Sequence, residues 1–196
     1  MVQCYLHKEK FMNAFITGSA SAKLNKKYLQ GVDTIATYLA KKGYGVFCVG
    51  TSAGSIGAFY HAFCQHSENA TLLVPIAYAD EVNGMKKGKR IVVDTLFNLQ
   101  EIGLRNSQVT LVLPGGNGTL GELYMATDLK KSKFDDDLVI IYNINGFYDK
   151  IKEMNDFMLE AGSLEPFQYK YFNFCNTPEE VIELLEENEK KKKQKV

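Results

Sequence analysis

Short runs rich in Val, Ile and Leu alternate along this chain with longer segments whose apolar residues recur at helical spacing. Residues 13–17, 46–49, 72–77, 91–93, 109–113, 138–142 and 169–174 read as strands. Helices are expected over 28–42, 56–65, 96–105, 120–131 and 147–161, and from Pro178 onward. Strands separated by helices require crossover connections and hence parallel pairing. The pattern predicts an α/β fold, a Rossmann-like doubly wound parallel sheet in a three-layer αβα sandwich. In such a sheet the ligand crevice lies at the carboxyl ends of the strands. At 196 residues the chain suits a single domain, with a core over about 11–185 and a charged tail from 186 to 196. The tail's Glu186–Lys190 and Glu187–Lys191 spacings suit i,i+4 pairs on a solvated, fraying helix end.

Three Gly-rich or Ser-rich loops fall at the predicted strand ends. They are Gly18-Ser19-Ala20-Ser21, Gly50-Thr51-Ser52-Ala53-Gly54-Ser55-Ile56-Gly57, and Pro114-Gly115-Gly116-Asn117-Gly118-Thr119. Glycines let backbone N–H groups approach a ligand closely, and the following helix adds the positive end of its dipole, so the third loop reads as a phosphate cradle. Backbone N–H groups of Gly115, Gly116 and Gly118, with the Thr119 hydroxyl, are expected to hold the phosphate. Gly18, Ser19, Gly50, Thr51, Gly54, Ser55, Gly57, Pro114 and Asn117 would complete the lining. The second loop reads G-x-x-x-G-x-x-G, which is not the dinucleotide fingerprint. Glu122 follows one turn into the helix, facing back toward the loop. A carboxylate aimed at an anion site points to chemistry. Its spacing from Thr119 equally fits a capping box, which would only stabilise the helix start.

Composition narrows the remaining classes. Acidic and basic residues balance at 23 each, so no charge excess points to nucleic acid. No apolar run approaches bilayer length, and the first residues lack the apolar segment of a secretory signal, so a cytoplasmic protein with no membrane partner is expected. Cys4, Cys48, Cys64 and Cys175 lie far apart without a CxxC pair and read as reduced thiols. His61 and His66, five apart, face different sides of a helix, so no metal site is expected.

The run Pro114-Gly115-Gly116-Asn117-Gly118-Thr119-Leu120-Gly121-Glu122 resembles the P-G-G-x-G-T-x-x-E signature of the Lonely guy (LOG) family of cytokinin riboside 5'-monophosphate phosphoribohydrolases, often labelled lysine decarboxylases. Gly18-Ser19, Gly54-Ser55-Ile56-Gly57 (the family's G-L-M-G) and Asn145-Gly146-Phe147-Tyr148-Asp149 extend the similarity over roughly 11–185. The resemblance implies a homodimer that needs no cofactor and hydrolyses the N-glycosidic bond of a nucleoside 5'-monophosphate to free base and ribose 5-phosphate. Glu122 would then stabilise the oxocarbenium-like transition state and orient water.

The chain departs from the family in two places. Where the family reads M-H-x-R-K, a gap-free alignment gives Leu96-Phe97-Asn98-Leu99-Gln100, so Leu99 replaces the arginine that partners the glutamate. Arg105 is the candidate substitute, although it lies six residues further along the helix; Arg105-Asn106 is similar to an R-N pair of the related molybdenum-cofactor carrier branch. Val49-Gly50-Thr51 also replaces a triple glycine. Two functions are consistent with these residues: a nucleoside monophosphate hydrolase, or a protein of the same fold that binds a nucleotide or cofactor without catalysis, like the molybdenum-cofactor carriers.

Overall fold

The computed structural model describes residues 12–82, 85–131 and 137–194; Cys4 and the last residues of the tail lie outside them. Seven strands form one sheet in which every pairing is parallel: β1 (Asn13–Thr17), β2 (Gly45–Val49), β3 (Ala70–Pro75), β4 (Lys89–Val93), β5 (Val109–Val112), β6 (Leu138–Tyr142) and β7 (Asn173–Cys175). Their order is β4-β3-β2-β1-β5-β6-β7. The chain therefore moves outward from β1 in one direction and then returns to build the other half. β1 and β5, adjacent in the sheet, flank the point where the order reverses, which is where open α/β sheets bind ligands. The helices are α1 (Val32–Lys41), α2 (Gly54–Phe63), α3 (Leu96–Arg105), α4 (Asn117–Lys131), α5 (Asp149–Glu160), α6 (Pro166–Tyr169) and α7 (Pro178–Gln194).

Alternation along the strands sorts side chains between two cores. Ala14 and Ile16 join Val46, Cys48, Leu72 and Leu111 against α1, α2 and α7. Phe15, pointing the other way, joins Leu73, Val139 and Ile141 against α3 and α4. Gly103 of α3 leaves the room that the Phe15 ring fills, so α3 lies close on the sheet. This is the three-layer αβα sandwich expected from the sequence. Cys48, Cys64 and Cys175 are buried and free.

The structure differs from the sequence reading where single residues override periodicity. The helix expected from Tyr28 is split into a 3₁₀ turn at Lys26–Leu29 and α1, because Gly31 adopts φ 73°. A side chain there would also meet Pro178 and the Tyr142 hydroxyl. The strand expected over 169–174 begins instead as α6, with Pro166 at its first turn and the Glu165 N–H donating to Gln168 Oε1 at 3.3 Å; the strand is confined to Asn173–Cys175. The tail helix does not stand free. The Tyr44 hydroxyl donates to Glu189 at 2.9 Å, and Glu186 turns to Lys42 at 3.8 Å and to the Tyr38 hydroxyl at 3.4 Å rather than to Lys190. Only the Glu187–Lys191 pair forms as anticipated, at 3.9 Å.

Candidate active site

The three loops meet at the carboxyl ends of β1, β2 and β5 because Ser55 ties them together. Its fully buried hydroxyl accepts from the Ser19 N–H at 2.8 Å and donates to the Pro114 carbonyl at 2.7 Å. The Ser19 N–H reaches that carbonyl as well, at 3.0 Å, and the Ser19 carbonyl accepts from the Ile56 N–H at 3.2 Å. Gly54 holds φ 67° with its Cα packed on the Ser19 carbonyl, and the remaining glycines of the first two loops are equally enclosed: Gly18 by Ser55, Gly57 by the Ser52 backbone, Gly50 by Val82. Thr51 accepts from the Ala53 N–H at 3.2 Å. These residues, expected from sequence to line a ligand, chiefly lock the loops to one another. Ser55 in particular is a strut with no access to the crevice.

The third loop behaves differently. Gly115 is enclosed, since a side chain on it would run into Thr119 Oγ1 and the Gly18 backbone. Thr119 is buried beneath it. Gly116, Asn117 and Gly118 are exposed, and nothing lies within 4 Å of where a Cβ on Gly116 or Gly118 would sit. Neither of these two glycines has positive φ. Packing and backbone geometry thus give no reason for glycine at either position. Close approach of a ligand gives one. The Leu120 N–H bonds the Gly116 carbonyl at 3.0 Å, so Gly116 caps α4 and the N–H groups of its first turn point outward without intrahelical acceptors.

This start also settles the capping-box alternative. α4 begins at Asn117, two residues before Thr119, so Thr119 is inside the first turn and cannot act as the N-cap. Glu122 does not reach back to the helix start. It crosses to β1, where the Thr17 hydroxyl donates to its Oε2. Glu122 is 8 % exposed. Burial pushes its carboxyl up to about 7, opposed in part by the Thr17 hydrogen bond. Among the described residues no lysine or arginine forms an ion pair with it. A buried carboxylate poised near neutrality beside an open loop at a helix N-terminus is suited to general acid–base work.

Tyr148, which sequence reasoning placed in a resemblance but not in the site, braces the loop from behind. Its buried hydroxyl donates to the Leu113 carbonyl at 2.7 Å, at the residue before Pro114. Burial is the main cause holding its hydroxyl protonated, with the Glu122 charge adding to it. Its backbone is set in turn by Asn143 Oδ1, which accepts from the Tyr148 N–H at 2.6 Å, while Asn143 Nδ2 donates to Asp149 at 2.8 Å.

Arg105 is not brought to this cluster. α3 starts at the carboxyl end of β4 and runs back along the sheet, so its last residue lies about 13.5 Å along the axis from the first. Arg105 pairs with Glu101 at 2.9 Å, three-quarters exposed. Its neighbour Asn106 accepts from Asn13 at the first residue of β1, the opposite edge of the sheet. Leu99 is buried in the core, and Phe97 is 78 % exposed. Gln100 of α3 approaches α4, its Nε2 lying 3.9 Å from where a Cβ on Gly121 would sit.

The profile of the family described as "Possible lysine decarboxylase" matches residues 56–185. The chain belongs to this family, the LOG family. A cytokinin riboside 5'-monophosphate phosphoribohydrolase of Arabidopsis thaliana is 23% identical over 180 residues, covering 91% of this chain and 79% of its own length. A "Probable cytokinin riboside 5'-monophosphate phosphoribohydrolase" of Oryza sativa subsp. japonica is 26% identical over 171 residues, covering 87% and 70%. The molybdenum cofactor carrier protein of Chlamydomonas reinhardtii superposes with a TM-score of 0.68 at 14% identity, over 91% of this chain and 98% of that one, a likeness of fold. Among the described residues no helix is long and apolar enough to cross a membrane.

Within this LOG-family site the two classes of glycine give separable expectations. Gly115→Ala should lose several kcal/mol of stability, since its methyl group meets both Thr119 and backbone. Gly118→Ala lies in open space on a helix and should be neutral or stabilising by about 0.5–1 kcal/mol, while weakening binding of a phosphorylated small molecule if the open loop takes one. Thermal unfolding and calorimetric titration of both variants check this. Equal stability losses would remove the distinction.

Proposed function

We propose that the protein hydrolyses the N-glycosidic bond of a nucleoside 5'-monophosphate, releasing free base and ribose 5-phosphate. The observation that carries this reading is Glu122, buried beside the open glycines of the α4 loop, with a neutral hydroxyl as its partner and a carboxyl raised to about 7. The 5'-phosphate is held by the N–H groups at the start of α4, and this remote binding places the ribose over Glu122. As the base departs, positive charge grows at the anomeric carbon. The ionised Glu122 stabilises that charge and takes a proton from the water whose oxygen bonds to the anomeric carbon, while the base leaves with the C–N electron pair and takes up one proton, so that Glu122 is free to release its own.

Relatives named as phosphoribohydrolases of cytokinin riboside 5'-monophosphates support this substrate class. A dimer is part of the same reading. Ile76, Val92, Leu96 and Phe97 are exposed apolar side chains on β4, α3 and the turn after β3, a surface suited to a second copy. A second reading, a carrier that binds without catalysis, is favoured by one feature: the position of the family arginine is Leu99, sealed in the core. Incubating the protein with a panel of nucleoside 5'-monophosphates and assaying free base separates the two. Base and ribose 5-phosphate in equal amounts are expected. Binding without release from any nucleotide would establish the carrier instead. Arg105→Ala should leave the rate within about twofold of native, because its surface ion pair is distant from the crevice.

A further inference from the structure

Thr17 is the last residue of β1 and is completely buried. Its backbone is fixed on one side by register with Val112 and at its carbonyl by the Leu113 N–H at 2.8 Å. A β-branched side chain on a fixed strand has little χ1 freedom, so the direction of its hydroxyl is set by the sheet. That hydroxyl donates to Glu122 Oε2, 105 residues away.

The other groups around Glu122 leave it dependent on this bond. The segment before α5 contributes Tyr148, whose proton is committed to the Leu113 carbonyl. α3 contributes the neutral Gln100 near Gly121, while its Glu101 and Arg105 pair with each other. α4 carries Glu122 itself. A buried carboxylate whose identified hydrogen-bond donor is a single hydroxyl has its orientation and its ionised form governed by that donor.

From this geometry we infer that Thr17 is a positioning residue for Glu122, fixing Oε2 and favouring the carboxylate over the acid, so that the second oxygen is presented to the reacting water. The inference rests on the hydrolase reading for its consequence, but the bond and its effect on Glu122 stand apart from any turnover. Thr17 acts through Glu122 and touches no substrate.

The test is a carboxyl titration by carbon-13 NMR on glutamate-labelled protein, with Glu122→Gln identifying the resonance. The native midpoint is expected near 7. In Thr17→Val, which keeps the shape and removes the hydroxyl, the midpoint should rise by about one pH unit, and Thr17→Ser should return it toward native. If nucleotides are hydrolysed, the acid limb of the kcat profile moves with it. At neutral pH kcat of Thr17→Val falls about fivefold, with KM changed by less than about twofold. A native midpoint in folded Thr17→Val overturns the assignment. Should Thr17→Val not fold, Thr17→Cys offers a weaker donor of similar size, and a native midpoint there overturns it equally. Absence of hydrolysis in the native protein would remove the hydrolase reading alone, and the titration would still decide the role of Thr17.

Discussion

Glu122→Gln should abolish base release, lowering kcat by about 10³-fold while ribose 5-phosphate still binds at the α4 loop. The substitution keeps the size of the side chain and an acceptor for the Thr17 hydroxyl, but removes the charge proposed to face the anomeric carbon. Uniform binding by the phosphate is therefore expected to survive, and the loss to fall on the chemical step. Steady-state kinetics with calorimetry of product binding measure both. A variant retaining more than about a tenth of native kcat would exclude Glu122 as the group that stabilises the transition state.

The same substitution should make the protein more stable at alkaline pH. The Glu122 carboxyl titrates near 4.5 when exposed and near 7 in the fold. Between those values the folded state holds a proton that the unfolded chain has released, so stability falls as pH rises through this window. Below about 4.5 both states are protonated and there is no cost. Above about 7 both are ionised and the cost is complete, about 3 kcal/mol. Gln carries no such cost. Denaturant unfolding of native protein and Glu122→Gln should therefore give similar stabilities near pH 4.5 and a gap of up to about 3 kcal/mol near pH 8. Parallel pH dependences would show that Glu122 ionises freely in the fold. Lost activity joined to gained stability is the pattern of a group kept for chemistry at a structural cost.

Much of the fold was legible because burial leaves a periodic trace. Runs such as Leu138–Tyr142 and Val109–Val112 are buried on both faces and carry continuous apolar sequence, and α3 matches its predicted limits. Gly31 and Pro166 altered elements through one residue's dihedral, which an averaged pattern does not register. The site was legible in part. Pro114 to Glu122 announced itself through glycines without a periodic role. Thr17 and Tyr148 carried no comparable signal, since their hydroxyls matter through contacts made across 105 and 35 residues. The available hint for Thr17 was position, the last residue of a strand just before Gly18. Arg105 was misleading for a related reason. It is near the motif in sequence, but a helix leaving a strand's carboxyl end carries its final residue to the far edge of the sheet.

The placement of β1 at the centre of the sheet governs when this molecule can become whole. β1 is made first, yet one of its two edges stays unpaired until β5 follows it, because residues 14–17 pair with 109–112. Until then a nascent chain holding β1 to β4 presents an open, apolar strand edge, the kind of surface that invites pairing with another chain. Closing that edge requires contacts between residues distant in sequence, which slows folding. The closure that ends this exposure leads directly into α4 and brings Glu122 to Thr17, so the joining of the two halves of the sheet and the meeting of this pair belong to one stage in the life of the chain, with β6 and β7 added outside it.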